Sequence, residues 1–218
     1  MEWLSLKIFR QNIDVTTEEN EFILNLINNN LVLNEKMKQL KQSYKDLILE
    51  PTAMDILVKN ALTNMGFDCR FARVGDNNER FDLLIKKENQ IGIVEIEIPS
   101  TEMLETPRNL LDNIAVSINR RGMKLKSIQP IVICWTYPNK RTDYWNVVND
   151  INNVLGIKIK TISVMALLCN LWIKQENFIS NDDYFLHRDN LELIELKEKL
   201  ENEGVDLSIF NGFFNNIK

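Results

Sequence analysis

The sequence predicts an α/β protein in which helices cover both faces of a mixed β-sheet. From residue 52 onward, segments of helical and strand periodicity follow one another in the order α-β-β-β-α-β-α-β-α. Three strands in succession indicate an antiparallel meander, whereas strands that alternate with helices indicate parallel neighbours. The composition agrees, because 44% of the residues are hydrophobic and only 7 of the 218 are glycine and 5 are proline. Such a chain can bury a core, and it is neither collagen-like nor a turn-dense all-β protein.

The chain divides into three predicted segments: a helical N-terminal appendage over 1–50, the core over 51–175 and a C-terminal helical segment over 176–218. In the appendage, apolar residues recur at helical spacing over 17–31 and again over 35–48. Pro51 marks the boundary with the core, because the residue before a proline is disfavoured in a helix. In the last segment, residues 190–203 have the pattern of an amphipathic helix.

The first half of the core combines one helix with three strands. Apolar residues at helical spacing predict a helix over 52–66, with Gly66 as its C-terminal cap. Strands are predicted over 67–74, 80–87 and 91–98. The last of these is rich in β-branched residues, and Pro99 ends it. Residues 88–90 have turn composition, so the second and third strands form a hairpin.

In the second half of the core, helices and strands alternate. The predicted helices span 106–121, 144–155 and 164–172, and the predicted strands span 130–135 and 157–162. Thr106 is expected as the N-cap of its helix, with Pro107 at the first helical position. Gly122 and Gly156 end the first two helices, and Ser163 caps the third.

Charge and cysteine content exclude several classes of protein. The net charge of −5 provides no global basic field toward nucleic acid or acidic lipid. Three well-separated cysteines indicate free thiols in a reducing compartment, so we expect a cytoplasmic protein. The longest apolar stretch, residues 164–173, is too short to span a membrane. No glycine-rich loop supports a nucleotide cofactor, and a single histidine argues against a Ser-His-Asp site.

Three carboxylates belong to the predicted hairpin. Side chains alternate along a strand, so Glu95 and Glu97 share one face. With a two-residue turn at residues 89–90, Asp82 falls opposite Glu97, and with a four-residue turn it falls opposite Glu95. Both registers place the three carboxylates on one face, whereas a three-residue turn would place Asp82 on the other.

Carboxylates that cluster on one face repel each other unless they are protonated or a cation neutralises them. A set of oxygen ligands without histidine or cysteine suits Mg²⁺ or Mn²⁺. Such a site polarises a phosphoryl oxygen and lowers the pKa of a bound water, as the hydrolysis of a phosphodiester requires. A second interpretation stays open, in which the three carboxylates are hydrated side chains of a solvent-facing sheet.

The hairpin motif and the order of elements over residues 52–173 resemble the PD-(D/E)xK nuclease superfamily, which has the restriction-endonuclease-like fold. The resemblance implies that Asp82 and Glu95 are metal-binding acids and that Mg²⁺ or Mn²⁺ is the cofactor. Glu97 occupies the position where the family usually has lysine, and Phe81 occupies the position of its proline. Some restriction endonucleases of this fold also carry an acid at the lysine position and remain active.

The resemblance implies a divalent-metal-dependent DNA endonuclease that hydrolyses phosphodiester bonds, with Asp82, Glu95 and Glu97 as catalytic residues. Two alternatives stay open. Because the usual lysine is missing, the chain is alternatively a catalytically silent member of the fold that binds nucleic acid or serves as an assembly subunit. It is otherwise an interaction protein whose helices over 17–48 and 190–203 bind partners.

A basic stretch supports contact with DNA. Residues 106–141 contain seven basic residues and one acidic residue, a net charge of +6 in an acidic chain. The predicted DNA-binding residues are Arg108, Arg120, Arg121 and Lys124. Alternatively the stretch is a solvated helix end, where Arg120 and Arg121 complement the helix dipole. Because one active site cuts one strand at a time, we also expect a homodimer with the N-terminal helices at its interface.

Overall fold

The computed structural model describes residues 31–46, 51–73, 75–76, 78–98, 103–175, 178–187 and 190–216. Residues 1–30 lie outside these ranges, and with them almost all of the helix predicted over 17–31. Of the two N-terminal helices expected at a dimer interface, the first lies almost entirely outside the described residues, and the dimer stays a prediction.

Six α-helices and five strands make up the described part of the chain. The helices are α1 (Leu33–Asp46), α2 (Pro51–Asn64), α3 (Thr106–Arg121), α4 (Asp143–Leu155), α5 (Val164–Trp172) and α6 (Ile194–Asn202). The strands are β1 (Asp68–Phe71), β2 (Leu83–Lys87), β3 (Gln90–Glu97), β4 (Ile128–Cys134) and β5 (Lys160–Ser163). Every element predicted in the core is present, and the predicted α/β class is confirmed.

The five strands form one open mixed sheet in the order β1-β2-β3-β4-β5. The pairs β1–β2 and β2–β3 are antiparallel, whereas β3–β4 and β4–β5 are parallel. The short turn between β2 and β3 forces an antiparallel pair, and the long connection through α3 allows β4 to return parallel to β3. The carboxyl ends of β3 and β4 therefore meet at one edge, where Glu97 pairs with Cys134.

Helices lie on both faces of the sheet. On one face, the Asn113 amide of α3 reaches Glu95, and the Tyr144 hydroxyl of α4 lies 2.6 Å from the Thr161 hydroxyl. On the opposite face, the Lys59 ammonium of α2 lies 5.0 Å from the centre of the Phe71 ring. Helices α1 and α2 both pack against α5. The two layers cover the sheet, as its near-continuous apolar strands require.

One cluster of buried side chains includes residues from all three predicted segments. Met37 of α1, Leu57 of α2 and Phe214 near the C-terminus all belong to it. The Ser163 hydroxyl donates a hydrogen bond to the Phe213 carbonyl at 2.6 Å, which ties the C-terminal residues to the end of β5. The C-terminal segment therefore packs against the sheet through both apolar burial and hydrogen bonding.

The outer edge of β5 is covered by a single residue from the C-terminal segment. Thr161 and Leu186 exchange backbone hydrogen bonds of 3.1 and 2.7 Å in an antiparallel bridge. At the other end of the sheet, β1 is a four-residue edge strand of sequence DCRF. The two edges are thus blocked differently, one by pairing and the other by short length and charge.

Several element ends differ from the sequence-based expectations. The N-cap of α3 is Glu105 without a side-chain hydrogen bond, and Thr106, expected as the cap, is the first helical residue. Helix α6 begins at Ile194 instead of residue 190, because Asn190 and Glu192 form isolated bridges. The predicted cap of α5 is confirmed, since the Ala166 amide donates to the Ser163 hydroxyl at 3.0 Å. In the part of the chain that the structure describes, no helix combines the length and apolarity needed to cross a membrane.

A buried ion-pair network connects β1, the loop before β2 and the C-terminal end of α3. The Glu79 carboxylate is 6% exposed and accepts two hydrogen bonds of 2.9 Å from the Arg70 guanidinium. It also accepts a hydrogen bond of 2.7 Å from the backbone amide of Arg73, and it lies 2.6 Å from the Arg121 guanidinium. These donors, Arg70 first, lower the pKa of Glu79 to about 2 against the opposing effect of burial.

We predict that Glu79→Gln lowers the free energy of unfolding at pH 7 by on the order of 3 kcal/mol, because it leaves two guanidinium groups without their shared anion. Urea denaturation measures the change. The matched control is Asp112→Asn, which removes an ion pair whose partners Arg80 and Asp112 are both about half exposed. The control should cost less than about 1 kcal/mol.

The same network predicts a dependence on acid pH. The pKa of Glu79 is depressed in the folded chain, so its stabilisation is fully present above the unfolded pKa of about 4.3. The stabilisation is lost as the pH falls toward 2, because the folded and unfolded chains then both bind the proton. The stability difference between wild type and Glu79→Gln should therefore shrink below pH 4. A difference that stays constant down to pH 2 would contradict this account.

Candidate metal centre

The register of the β2–β3 hairpin brings Asp82 and Glu95 together. Leu83 pairs with Val94, so the next residues outward, Asp82 and Glu95, lie across from each other. This is one of the two predicted registers. The turn, however, is two residues long and lies at 88–89, because Lys87 pairs with Gln90. Glu97 lies two residues beyond Glu95 on the same face of β3.

Each of the three carboxylates is held by one neutral donor. The Ile96 amide donates to Asp82 Oδ2 at 2.7 Å. The Asn113 side-chain amide donates to Glu95 Oε1 at 2.6 Å, and the Thr106 hydroxyl donates to Glu97 Oε2 at 2.9 Å. The hairpin and α3 therefore fix the orientation of all three carboxylates.

The acid–base properties of the cluster indicate close carboxylates in a poorly hydrated place. The pKa of Glu95 is raised to about 8, chiefly by burial and in addition by the neighbouring charges of Asp82 and Glu97, while the Asn113 hydrogen bond opposes the rise. Burial also raises the pKa of Asp82, against the hydrogen bond from the Ile96 amide, and the charge of Glu97 adds to the rise. Glu95 and Asp82 thus each respond to the other acids of the cluster.

The interpretation of these acids as hydrated side chains fails for Glu95, which is only 8% exposed. Among the ion pairs of the described residues, none involves Asp82 or Glu95. Without a cation, the favoured state of Glu95 at neutral pH is the protonated one. A cation that entered the site would favour the deprotonated form.

The donor set suits a hard divalent cation. Asp82 and Glu95 each have one oxygen held by a neutral donor, and within the described ranges the second oxygen accepts no hydrogen bond. In those same ranges, no group of three or more His, Cys, Asp or Glu side chains is placed so that it could hold a metal ion, and this includes the three acids of the hairpin. Mg²⁺ does not need such a cage, because it usually binds one or two carboxylates and completes its shell with water and substrate phosphate.

The sequence-based prediction missed the two contributions of α3. Thr106 is 1% exposed and Asn113 is 4% exposed, and they lie seven residues apart on the buried side of the helix. A signal was present, because Asn113 falls within the apolar stripe of Leu110 and Ile114. A polar residue in such a stripe needs a buried partner, which here is Glu95.

The four predicted DNA-binding residues occupy two ends of α3. Arg108, in its first turn, pairs with Glu105. At the other end, Arg121 pairs with Glu79 and Asp76, and Arg120 donates to the Asn78 side chain. Lys124 is exposed just beyond the helix. Their contact with DNA stays a prediction, but Arg121 also has a structural role as a partner of Glu79.

We predict that the metal-free protein loses stability as the pH rises from 5 to 8. The pKa of Glu95 is raised in the folded chain, so between about 4.3 and 8 the folded chain holds a proton that the unfolded chain has released. The loss should reach roughly 2–4 kcal/mol and should be largely absent in Glu95→Gln. Chemical denaturation at a series of pH values in the presence of a chelator measures it.

The matched control is Glu198→Gln, which changes an exposed glutamate of α6. It should keep the wild-type pH dependence. Equal pH dependence in wild type and Glu95→Gln would show that Glu95 titrates normally and that the buried cluster does not control stability.

Comparisons of the chain with protein-family models, with curated proteins and with solved structures each found no match. Function therefore has to be inferred from the residues of the site.

Proposed function

We propose that the chain is a divalent-metal-dependent DNA endonuclease of restriction-endonuclease-like fold, with Mg²⁺ or Mn²⁺ as its cofactor. The observation that carries the proposal is that Asp82 lies across from Glu95 at the open end of a buried hairpin. Among the ion pairs of the described residues, none brings a cationic side chain to either acid. Buried acids of this kind are costly for a purely structural role, and they suit the binding of a cation.

The topology supports this proposal. A helix, an antiparallel three-strand meander, a helix and a parallel strand follow in the order α2-β1-β2-β3-α3-β4. Asp82 immediately precedes β2, and Glu95 and Glu97 lie on β3, in the middle of the sheet. This is the arrangement that the resemblance to the PD-(D/E)xK nucleases implies for the metal-binding Asp and the acid of the second motif half.

Asp82 and Glu95 would hold the cation through the oxygens that accept no hydrogen bond in the described ranges. When bound, a divalent cation neutralises charge on the phosphodiester and lowers the pKa of a coordinated water. Binding should release a proton from Glu95, whose pKa is raised to about 8 in the metal-free chain. Asn113 keeps the carboxylate oriented in both states.

Glu97 takes the position of the family's usual lysine. Its carboxylate is anchored by the Thr106 hydroxyl, two residues from Glu95 on the same face. From this position Glu97 would orient the attacking water or contribute to a second metal. The charge of Glu97 raises the pKa values of Glu95 and Asp82, so it makes the binding of a cation by the cluster more favourable.

Exposed basic residues lie near the carboxyl edge of the sheet. Lys140 and Arg141 follow β4 at the edge where Glu97 ends β3, and both are exposed. Arg108 is exposed on the first turn of α3, close in sequence to Thr106. These cations supply the electrostatic attraction for a phosphate backbone that the acidic chain as a whole lacks.

A second candidate function is a catalytically silent member of the same fold that binds nucleic acid or assembles with other proteins. The observation that favours it is the glutamate at position 97, where a lysine is usual. The silent protein would bind DNA without metal-dependent cleavage.

We predict that wild type nicks supercoiled plasmid in Mg²⁺ or Mn²⁺ and that Glu95→Ala lowers the rate by at least about a hundredfold, because activation of water and neutralisation of the phosphate both depend on the metal. The metal-free Glu95→Ala protein should be as stable as wild type or more stable at neutral pH, since the change removes a buried acid that folding forces to take up a proton. Plasmid cleavage and melting temperature with and without Mg²⁺ measure both effects. Glu198→Ala serves as the control and should leave cleavage unchanged.

Failure of wild type to cleave in either metal, together with no metal-dependent rise in melting temperature, would reject the endonuclease. The variant Glu97→Lys then separates the two candidate functions. Cleavage gained on Glu97→Lys by an inactive wild type would identify a silent nuclease fold, because the change restores the family's usual residue. No gain and no DNA binding would reject both candidates.

A further inference from the structure

A pocket of about 340 Å³ lies between the loop that precedes β2 and the C-terminal end of α3. Its charged lining residues are Arg70, Arg73, Arg120 and Arg121 with Asp76 and Glu79. Four positive and two negative charges give the pocket a net charge of +2 in a chain whose net charge is −5. The local field therefore opposes that of the whole molecule and favours an anion.

Two of the four guanidinium groups are fixed in place. Glu79 pairs with both Arg70 and Arg121, at 2.9 and 2.6 Å. Both guanidinium groups also lie over the Phe81 ring, 5.5 and 5.9 Å from its centre. An anion that contacts them would restrict little further side-chain motion, which lowers the entropic cost of binding.

The other two guanidinium groups belong to exposed residues. Arg120 donates to the Asn78 side chain, and the Arg73 side chain takes part in no ion pair among the described residues. In addition, the Nε atom of Arg121 is buried, and its hydrogen has no acceptor among the residues that the structure describes. Planar guanidinium forks match the oxygens of a phosphate in pairs, so a pocket lined by four of them suits that group better than a halide.

The pocket is connected directly to the carboxylate cluster. Phe81, which underlies two of the arginines, immediately precedes Asp82. Along α3, seven residues separate Asn113, the partner of Glu95, from Arg120, and this corresponds to about 10 Å at 1.5 Å per residue. A DNA strand carries one phosphate per nucleotide, so a separation of about 10 Å is on the scale of a few nucleotides of one strand.

We propose that this arginine pocket binds a backbone phosphate of the DNA strand, a few nucleotides from the phosphodiester at Asp82 and Glu95. The proposal rests on the proposed function and adds a second contact that positions the strand. Glu79 is the positioning residue of the pocket, since it holds Arg70 and Arg121. Arg73 and Arg120 are the residues that contact the phosphate from the solvent side.

The test is the double variant Arg73→Gln/Arg120→Gln, which leaves the partners of Glu79's side-chain ion pairs intact. The affinity of metal-free protein for a fluorescein-labelled duplex is measured by anisotropy at a series of salt concentrations. The slope of log K against log salt is negative, and its magnitude should decrease by about 1, as expected for the loss of one phosphate contact. The control Lys38→Gln/Lys174→Gln removes the same charge from two exposed lysines elsewhere and should keep the wild-type slope.

A second readout is the stabilisation of the metal-free protein by inorganic phosphate in place of chloride. Phosphate should raise the melting temperature of wild type and of the lysine control, and it should raise that of the arginine variant much less. Melting of the variant in chloride verifies its folding. Phosphate stabilisation without binding of the duplex would assign the pocket to free phosphate and overturn its assignment to DNA.

The two proposals can fail separately. An unchanged salt slope in a folded arginine variant overturns the pocket, even where wild type cleaves DNA. A reduced slope supports the pocket, even where wild type shows no metal-dependent cleavage and the endonuclease is rejected.

Discussion

Helix α3 is held against the β2–β3 hairpin by polar contacts along its whole length, and the geometry of the candidate site depends on that attachment. Its first residue, Thr106, bonds to Glu97, and Asn113 bonds to the buried Glu95. At its last residue, Arg121 pairs with Glu79. Between these contacts, the apolar residues Leu110 and Ile114 are buried. Apolar burial supplies most of the attachment energy, and the polar contacts fix which part of the helix meets which strand.

This attachment includes two buried acids that are in opposite protonation states. Glu79 is ionised, because two arginines and a backbone amide surround it. Glu95 lies in a similar degree of burial with a neutral amide as its donor, so the protonated form is favoured near neutral pH. The charge of Glu79 is neutralised by arginines of the folded chain, whereas Glu95 has no such partner among the ion pairs of the described residues. Under the proposed function, Glu95 is the acid that a cation completes, at some expense to the stability of the metal-free protein.

The sequence was sufficient for the elements and for the shared face of Glu95 and Glu97, because side chains alternate along a strand with a period of two. The face of Asp82 depended on the turn, since a turn of two or four residues places it with the other two acids and a turn of three residues does not. The turn itself was placed one residue late, because residues 88–90 all have turn composition. Local composition favours a turn without fixing which pair of residues closes it.

Contacts between distant segments were beyond the reach of local patterns. The partners of Glu79 lie 9 residues before it and 42 residues after it, so the residues next to Glu79 in the sequence do not indicate a buried ion pair. Thr106 was expected to cap its helix, since that is the usual role of threonine before a Pro-containing first turn. Its hydroxyl instead donates to Glu97, an acid from another element. In both cases a tertiary contact decided the role of the residue.

The unequal edges of the sheet have a consequence for self-association through strand pairing. Strand β1 offers only four residues, and Asp68 and Arg70 among them disfavour the addition of a flat apolar strand from another molecule. Strand β5 is fully buried, and Leu186 occupies its hydrogen-bonding groups at Thr161. Detachment of the segment around Leu186 would expose unpaired backbone groups at Thr161 on the edge of the parallel half of the sheet. The resistance of this protein to aggregation during folding therefore depends on how early residues 178–187 dock beside β5.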